Sequence, residues 1–389
     1  MTVRAAVGTA FDDASVDAGR NAATAAMTGE AAPHLVVVLT TERYDQAEVI
    51  AGIRSVIGPD VALIGCCTAG LLTQDQVARR GVGVLALGGD DFVPPRVHLE
   101  NGLEHDPYGA AQRLAAALAA GETRSARGNV LLFADCIRGN LSIADFLSSL
   151  GTELGPLRRV LGAGAGDGGK WRQTHVFAGD RVESDAAVAL MLDPGAPIAL
   201  GVAHGAKAIG EPLLVTRSHQ NTIFELGGRP AIERYREACS TDAIDAASFQ
   251  AHGLLHPFGL VQLGGQYLVR TPVRLDDDGS ITCAGNVPER SSIHFLELEP
   301  EALVAAARQA AVEAKAQLGE RPIAAALVID CITRRLVMGA HAMREIEAVR
   351  DVLGPDVPLL GMLSYGEIAA SAGATSFHNE TMLVCLFGA

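Results

Sequence analysis

Aromatic side chains are scarce in this chain: Phe, Tyr and Trp make up 4% of its 389 residues, and there is a single tryptophan, Trp171. Proteins that hold single-stranded nucleic acid by stacking need rows of aromatic platforms, which this composition does not offer. Basic charge is short as well. Lys and Arg number 31 against 45 Asp and Glu, a net charge of -14. Such a chain repels a phosphate backbone unless a local basic patch offsets it. The Arg pairs at 79–80, 158–159 and 334–335 are too short to form one, so nucleic acid is not expected as a partner. No run of about 18 apolar residues is present, which excludes an apolar membrane-spanning helix. Residues 1–20 scatter Arg4, Asp12, Asp13, Asp17 and Arg20 among apolar positions instead of the charged-then-apolar order of a signal peptide. The expectation is a cytoplasmic protein with no membrane partner. Cysteine is sparse and odd in number, seven in all, with no Cys-x-x-Cys spacing, so neither a disulfide framework nor a zinc site is expected. Adjacent Cys66 and Cys67 would point to opposite faces of a strand, and the thiols read as buried small hydrophobes.

Aliphatic residues and glycine are abundant instead. Hydrophobic residues reach 49% with 43 glycines, enough for a large helix-on-sheet core divided into two or three units. Internal repetition is the strongest signal. The segment IRSVIGPDVALIGCCTAG (53–70) aligns without gaps to VRDVLGPDVPLLGMLSYG (349–366), sharing the Gly-Pro-Asp-Val turn, the Leu-x-Gly strand and the final glycine. A weaker third copy reads LGPLRRVLGAGAG (154–166). Alanine-rich stretches with helical period at 16–27, 108–120 and 300–318 each precede a short apolar run, at 35–39, 130–133 and 324–329. Further apolar strands at 81–87, 186–192 and 381–387 close each copy. These elements predict an α/β fold of mixed sheets covered by helices, with three β-α-β-α-β-β-like internal repeats. Residues 198–294 read as a β-rich insert with turns at Gly227-Gly228, Gly264-Gly265 and the Asp-Asp-Asp-Gly at 276–279. The predicted division is 1–226, holding two copies, and 227–389, holding the β-rich segment and the third.

The motifs LIGCCTAG (63–70), AHGAKAIG (203–210) with LVTR (214–217), GGRPAIERY (227–235), HPFG (256–259), SYGEI (364–368) and HNET (378–381) together resemble the FIST family. The first part of the chain resembles its N-terminal domain and the last part its C-terminal domain, from about His34 onward. The resemblance implies a sensory role in bacterial signal transduction, in which such modules stand alone or are fused to kinase, chemotaxis or cyclase outputs. It also implies a small-molecule ligand, amino acids being among the proposals, and one branch of the family binds haem and senses nitric oxide. Because the chain ends soon after its last strand, a separate signalling protein such as a kinase or cyclase is the expected partner.

Ligands of open α/β sheets gather beyond the carboxyl ends of parallel strands. Two Asp-Cys-Ile segments fall there: Asp135-Cys136, followed by Arg138, and Asp330-Cys331, followed by Arg334 and Arg335. An Arg fork and an Asp acceptor would suit an amino acid, and the alternative is that they cap the next helix while the thiols pack inward. Tyr365, Gly366 and Glu367 follow the best-preserved repeat strand, whereas the first copy has Ala69, Gly70 and Leu71 there. Tyr365 and Glu367 are therefore expected to face a cavity shared with the N-terminal part, Glu367 paired with Arg138 or His378, and Asn379 nearby. His204 and His378 are the candidate axial ligands if haem is the cofactor, and structural histidines otherwise. The glycine-rich run 164–170 is followed by Trp171 and a predicted strand, so it reads as a turn and not as a phosphate loop. No nucleophile signature surrounds any Ser or Cys, so no enzyme is expected. A thiol-dependent enzyme using Cys136 or Cys331 is the remaining alternative.

Overall fold

The structure is a computed structural model that describes residues 3–27, 33–89, 92–120, 128–137, 143–192, 196–240, 243–371 and 374–389. Its first unit runs through strand Arg4–Ala10, helix Ser15–Ala26, strand Leu35–Thr41, helix Gln46–Ile57, strand Ala62–Thr68, a small hairpin (Leu71–Leu72 and Val77–Ala78) and strand Val82–Gly88. The second repeats this order. It has strand Val97–Asn101, helix Pro107–Ala120, strand Gly128–Ala134, helix Ile143–Leu154, strand Arg158–Gly164, a hairpin (Val176–Ala178 and Arg181–Glu183) and strand Ala186–Leu192. The third opens with strand Ile198–Ala203 and resumes after the insert with helix Pro300–Leu318 and strand Ile323–Cys331. Helices Ile332–Met338 and Met343–Leu353, strand Leu359–Ser364, a hairpin (Glu367–Ser371 and Ala374–His378) and strand Met382–Gly388 complete it. The three-copy α/β expectation is borne out. The structure places the opening strands at Arg4–Ala10, Val97–Asn101 and Ile198–Ala203, and adds a hairpin before each closing strand.

Each unit's two middle strands are parallel and its closing strand is antiparallel to the first of them. Runs such as Leu35–Thr41 and Gly128–Ala134 are buried along their whole length, as strands covered on both faces must be. The helices reach the sheets through small residues. A Cβ on Gly8 would lie 2.2 Å from the Ala22 carbonyl oxygen, and one on Gly201 would lie 1.8 Å from that of Ala310. Glycine thus sits at matching places in the first strands of units one and three because the helix backbone occupies the space a side chain would need.

The hairpins are exchanged in a ring. That of unit one extends the sheet of unit three, pairing Leu71 with Met362; that of unit two extends unit one, pairing Val176 with Cys66; that of unit three extends unit two, pairing Glu367 with Ala163. Three hydrogen bonds repeat the ring at its centre, where the Ala69, Gly166 and Tyr365 amides donate to the Leu363, Cys67 and Gly164 carbonyl oxygens at 3.0, 2.9 and 3.1 Å. The carboxyl ends of all three parallel strand pairs therefore converge on one point.

The insert forms an eight-stranded antiparallel sheet with helices Ala231–Ala238 and Phe249–Leu255. Its core gathers Tyr235, Phe249, Phe258 and Phe295, a concentration of the chain's few aromatics. Strand Ile198–Ala203, on the N-terminal side of residue 226, pairs with Met382–Gly388, so the last sheet draws on both sides of that point. No helix among the described residues is long and apolar enough to cross a membrane.

Candidate functional site

At the junction of the three units, beneath the insert, lies a cavity of about 680 Å³. Unit one supplies Glu42, Arg43, Ala69, Gly70 and the hairpin residues Val77, Ala78 and Arg79. Unit two supplies Cys136 and the loop Gly168, Gly169, Lys170 and Trp171. Unit three supplies Cys331, Ile332, Thr333, Arg335, Leu336, Leu363, Tyr365 and Asn379, and the insert closes it with Leu254, Thr271, Pro272, Val273 and Ala284.

Tyr365 is the pivot of one wall. Its hydroxyl donates to the Asp167 carboxylate and accepts the Gly169 N–H at 2.8 Å, while its ring stacks on Trp171 with centroids 3.7 Å apart and planes at 14°. Asp167 also accepts the N–H groups of Trp171, Arg172 and Gln173 at 2.8, 2.7 and 3.1 Å. Burial opposes ionisation of Asp167, but the Tyr365 hydroxyl and these amides outweigh it and hold the carboxyl below its ordinary value. Burial, then the Asp167 charge, push the Tyr365 hydroxyl up, so it stays a neutral donor. With both its polar roles taken, Tyr365 offers the cavity its ring. Of the glycine-rich run 164–170, Gly168, Gly169 and Lys170 line the cavity in irregular backbone beyond strand Arg158–Gly164.

Charge at the cavity runs against the acidic chain. Arg43, Arg79, Lys170 and Arg335 line it, against Glu42 as the one lining acid among the described residues. Glu42 lies 3.3 Å from Lys170 Nζ and 4.0 Å from Arg43 Nε. Arg335 donates to the Gly339 carbonyl oxygen, and neither it nor Arg79 has a carboxylate partner among the described residues.

Cys136 and Cys331 face the cavity, and burial pushes both thiols well above their ordinary value, so they are neutral. Burial dominates at Cys136, and at Cys331 the Glu367 carboxyl adds to it. Asp135 lies off the cavity, buried, accepting the Thr174 hydroxyl at 2.6 Å and the Ile137 and Asp185 N–H groups at 3.0 and 2.9 Å. Asp330 is turned the other way, 3.0 Å from Arg334 Nε, and Arg334 reaches Glu345 at 2.5 Å, all three buried. The two Asp-Cys pairs are therefore not equivalent, contrary to the sequence reading. Leu132 pairs with Gly162 and Val328 with Gly361, which sets Asp135 level with Cys331 and not with Asp330. The one-residue offset puts the two carboxylates at different levels of their units, where they meet different partners. Arg138 lies outside the described residues.

Gly366 has φ +131°, and a Cβ there would meet the Phe377 ring at 2.1 Å, so it serves the turn. Glu367 is fully buried beside the cavity and not among its lining residues. Among the described residues its partners are the Ser364 hydroxyl at 2.5 Å and the Thr381 N–H at 3.1 Å, and not the expected His378, while the Arg138 alternative lies outside the described residues; burial pushes its pKa up to about 8. Asn379 does line the cavity, its Oδ1 accepting the Thr271 N–H at 3.3 Å and its Nδ2 donating to the His378 carbonyl oxygen at 3.1 Å.

The histidines do not fit an axial haem role. Neither lines the cavity; burial with a nearby guanidinium, Arg334 or Arg270, lowers His204 and His378 to about 4, so both rings are neutral and the misfit lies in their position and hydrogen bonds. His204 Nδ1 accepts the Ala206 N–H at 3.0 Å, which places the ring proton on Nε2 and leaves no free lone pair. His378 Nε2 faces the Ala369 carbonyl oxygen at 3.3 Å and must carry a proton there. Among the described residues no group of three or more His, Cys, Asp or Glu could hold a metal ion. Sequence reasoning missed Arg43, Arg79, Lys170 and Trp171 as wall residues, and the lone tryptophan beside a glycine-rich run was the one available signal for them.

An uncharacterized protein of Mycobacterium tuberculosis is 29% identical over 247 residues, 62% of this chain and 63% of its own length, so the chain spans less than two thirds of that relative. An uncharacterized protein of Mycobacterium bovis is 27% identical over 377 residues, 93% of this chain and 92% of its own. Among solved structures, one of cyanuric acid hydrolase aligns over 100% of both chains with TM-score 0.37 and 10% identity, too distant to bear on activity. The FIST N domain matches residues 34–229 and the FIST C domain residues 231–370, which together cover well over half of the chain, and on that ground the chain belongs to the FIST family.

Proposed function

We propose that this chain is a cytoplasmic small-ligand-binding sensory protein that acts in signal transduction through a separate output protein such as a kinase or cyclase, with its ligand in the junction cavity. One observation carries the reading: three units and the insert all contribute walls to a single space of about 680 Å³. A ligand held there contacts four packed bodies at once, so its binding energy favours whichever arrangement of them it fits best. Family membership supports a sensory role. The thiol-enzyme alternative loses support because Cys136 and Cys331 are held neutral, and a neutral thiol is a poor nucleophile.

The test is mass spectrometry of molecules that copurify, followed by calorimetric titration of each into wild type and Ala284→Phe. Ala284 lines the cavity from the insert side, and the added ring fills space the ligand would use. Binding is expected to disappear in the variant while its melting temperature holds. A ligand that binds the filled variant as tightly as wild type overturns the reading.

A further inference from the structure

Resting on that reading, we propose that the ligand is a planar aromatic carboxylic acid, its carboxylate held by Arg79 and Arg335 and its ring laid against Trp171. Three features of the cavity converge on this class. The first is charge. Lys170 and Arg43 share the Glu42 carboxylate, whereas Arg79 and Arg335 line the same space with no acid of their own among the described residues. Arg79 follows the hairpin strand Val77–Ala78, which joins the sheet of unit three through the pairing of Leu71–Leu72 with Leu359–Ser364, and Arg335 stands on helix Ile332–Met338 of that unit. A planar guanidinium matches a carboxylate by two parallel hydrogen bonds, a geometry that a lysine cannot supply.

The second feature is the aromatic wall. Tyr365 covers one face of Trp171, yet Trp171 remains 50% exposed where it lines the cavity. Five hydrogen bonds organise the support beneath it, four onto Asp167 and one from Gly169 to Tyr365, so the indole is presented on a fixed loop. An aromatic face set this way rewards a flat unsaturated body by offset stacking. The third feature is the apolar remainder of the wall, Ala69, Val77, Ile332, Leu336 and Leu363. Such a surface favours one delocalised charge on an apolar frame over a polyanion, whose desolvation it would not repay.

Three probes separate these contributions by titration calorimetry: 2-naphthoate, its neutral counterpart 2-naphthamide, and decanoate, an acid without a ring. The naphthoate is expected to bind about tenfold or more tighter than either of the others. Arg335→Gln should bring the acid and the amide to within about twofold of each other, and Trp171→Ala should do the same for the naphthoate and decanoate. Because Trp171 is the only tryptophan, wild-type naphthoate binding should also change the protein's indole emission. Equal binding of acid and amide, a decanoate affinity matching the naphthoate's, or no binding by any probe overturns the ligand class. Failure of the cavity reading looks different. If the naphthoate binds Ala284→Phe as well as wild type, the cavity itself is not the site; if a neutral or cationic copurifying molecule is lost from Ala284→Phe, the cavity stands and the carboxylate class falls.

Discussion

Replacing Glu367 by Gln should make the protein less sensitive to alkali without unfolding it. Glu367 is fully buried, and its carboxyl titrates at about 8 in the folded chain against an ordinary 4.5. Burial is the main cause; the Ser364 hydroxyl, the Thr381 N–H and the Cys331 thiol oppose it without cancelling it. The folded state therefore holds a proton that the unfolded state releases above about pH 4.5. Stability is fully present below that pH and falls as pH rises toward 8, by about 1.4 kcal/mol per pH unit for this group. Over the whole window the loss is on the order of 5 kcal/mol, a large share of a typical folding free energy. Gln reproduces the protonated form: its oxygen can accept the Thr381 N–H and its amide can donate to Ser364 Oγ. At pH 5 the variant should lie within about 1 kcal/mol of wild type, and the difference should move in the variant's favour up to pH 8 and then level off. Glu380, also buried and raised to about 8, keeps its own slope, so the variant reduces the pH dependence without abolishing it. Urea titrations of both proteins from pH 5 to 9 measure this. A difference that stays flat across pH 5 to 8 would show that Glu367 is already ionised in the folded protein.

Arg334→Met should destabilise by about 3 to 5 kcal/mol in urea unfolding, because it strands the buried carboxyls of Asp330 and Glu345; a loss under about 1 kcal/mol would contradict the ion-pair assignment. Gly201→Ala should cost about 1 to 3 kcal/mol, since its new Cβ would fall 1.8 Å from the Ala310 carbonyl oxygen, and an unchanged melting temperature would refute the close contact. Iodoacetamide at pH 8 should leave Cys136 and Cys331 unmodified in the native protein and label them once urea is added, as peptide mass spectrometry reads directly; rapid native labelling of either would revive the thiol-enzyme alternative.

The repeat was legible because its signals are local. A Gly-Pro-Asp turn, an alanine-rich helix and a buried aliphatic strand each follow from residues within a dozen positions, and helix Pro300–Leu318 and strand Ala186–Leu192 fall where periodicity put them. The exchanged hairpins were not legible. Leu71–Leu72 and Val77–Ala78 are too short to show a period of two, and their pairing partner lies almost 300 residues away. The site divided in the same way. Tyr365 stood out as a departure from its own repeat copy, a comparison the sequence allows. Asp135 and Asp330 looked equivalent because both precede Cys-Ile, and only sheet register shows the one-residue offset that sends them to different partners. Arg79 carried no signal of its own, because what brings it to the site is the exchanged hairpin.

That ring also explains how a threefold fold can hold one asymmetric site. At its centre, Ala69, Gly166 and Tyr365 occupy matching positions, each amide bonded to the next unit. Space there is tight: a Cβ on Gly166 would come 2.6 Å from the Ala69 nitrogen. Two of the three corners therefore keep small residues. The third holds a tyrosine whose ring lies against Trp171 and whose hydroxyl is fixed by Asp167, both from the loop of unit two. A phenol at one corner is stable because a different unit supplies the carboxylate, the amides and the indole that receive it. The interruption of unit three by the insert adds a second asymmetry, since Thr271, Pro272 and Val273 close the cavity on one side only. A pocket walled by non-equivalent faces of every unit ties occupancy to the packing of the whole molecule, the property that the proposed sensory role calls for.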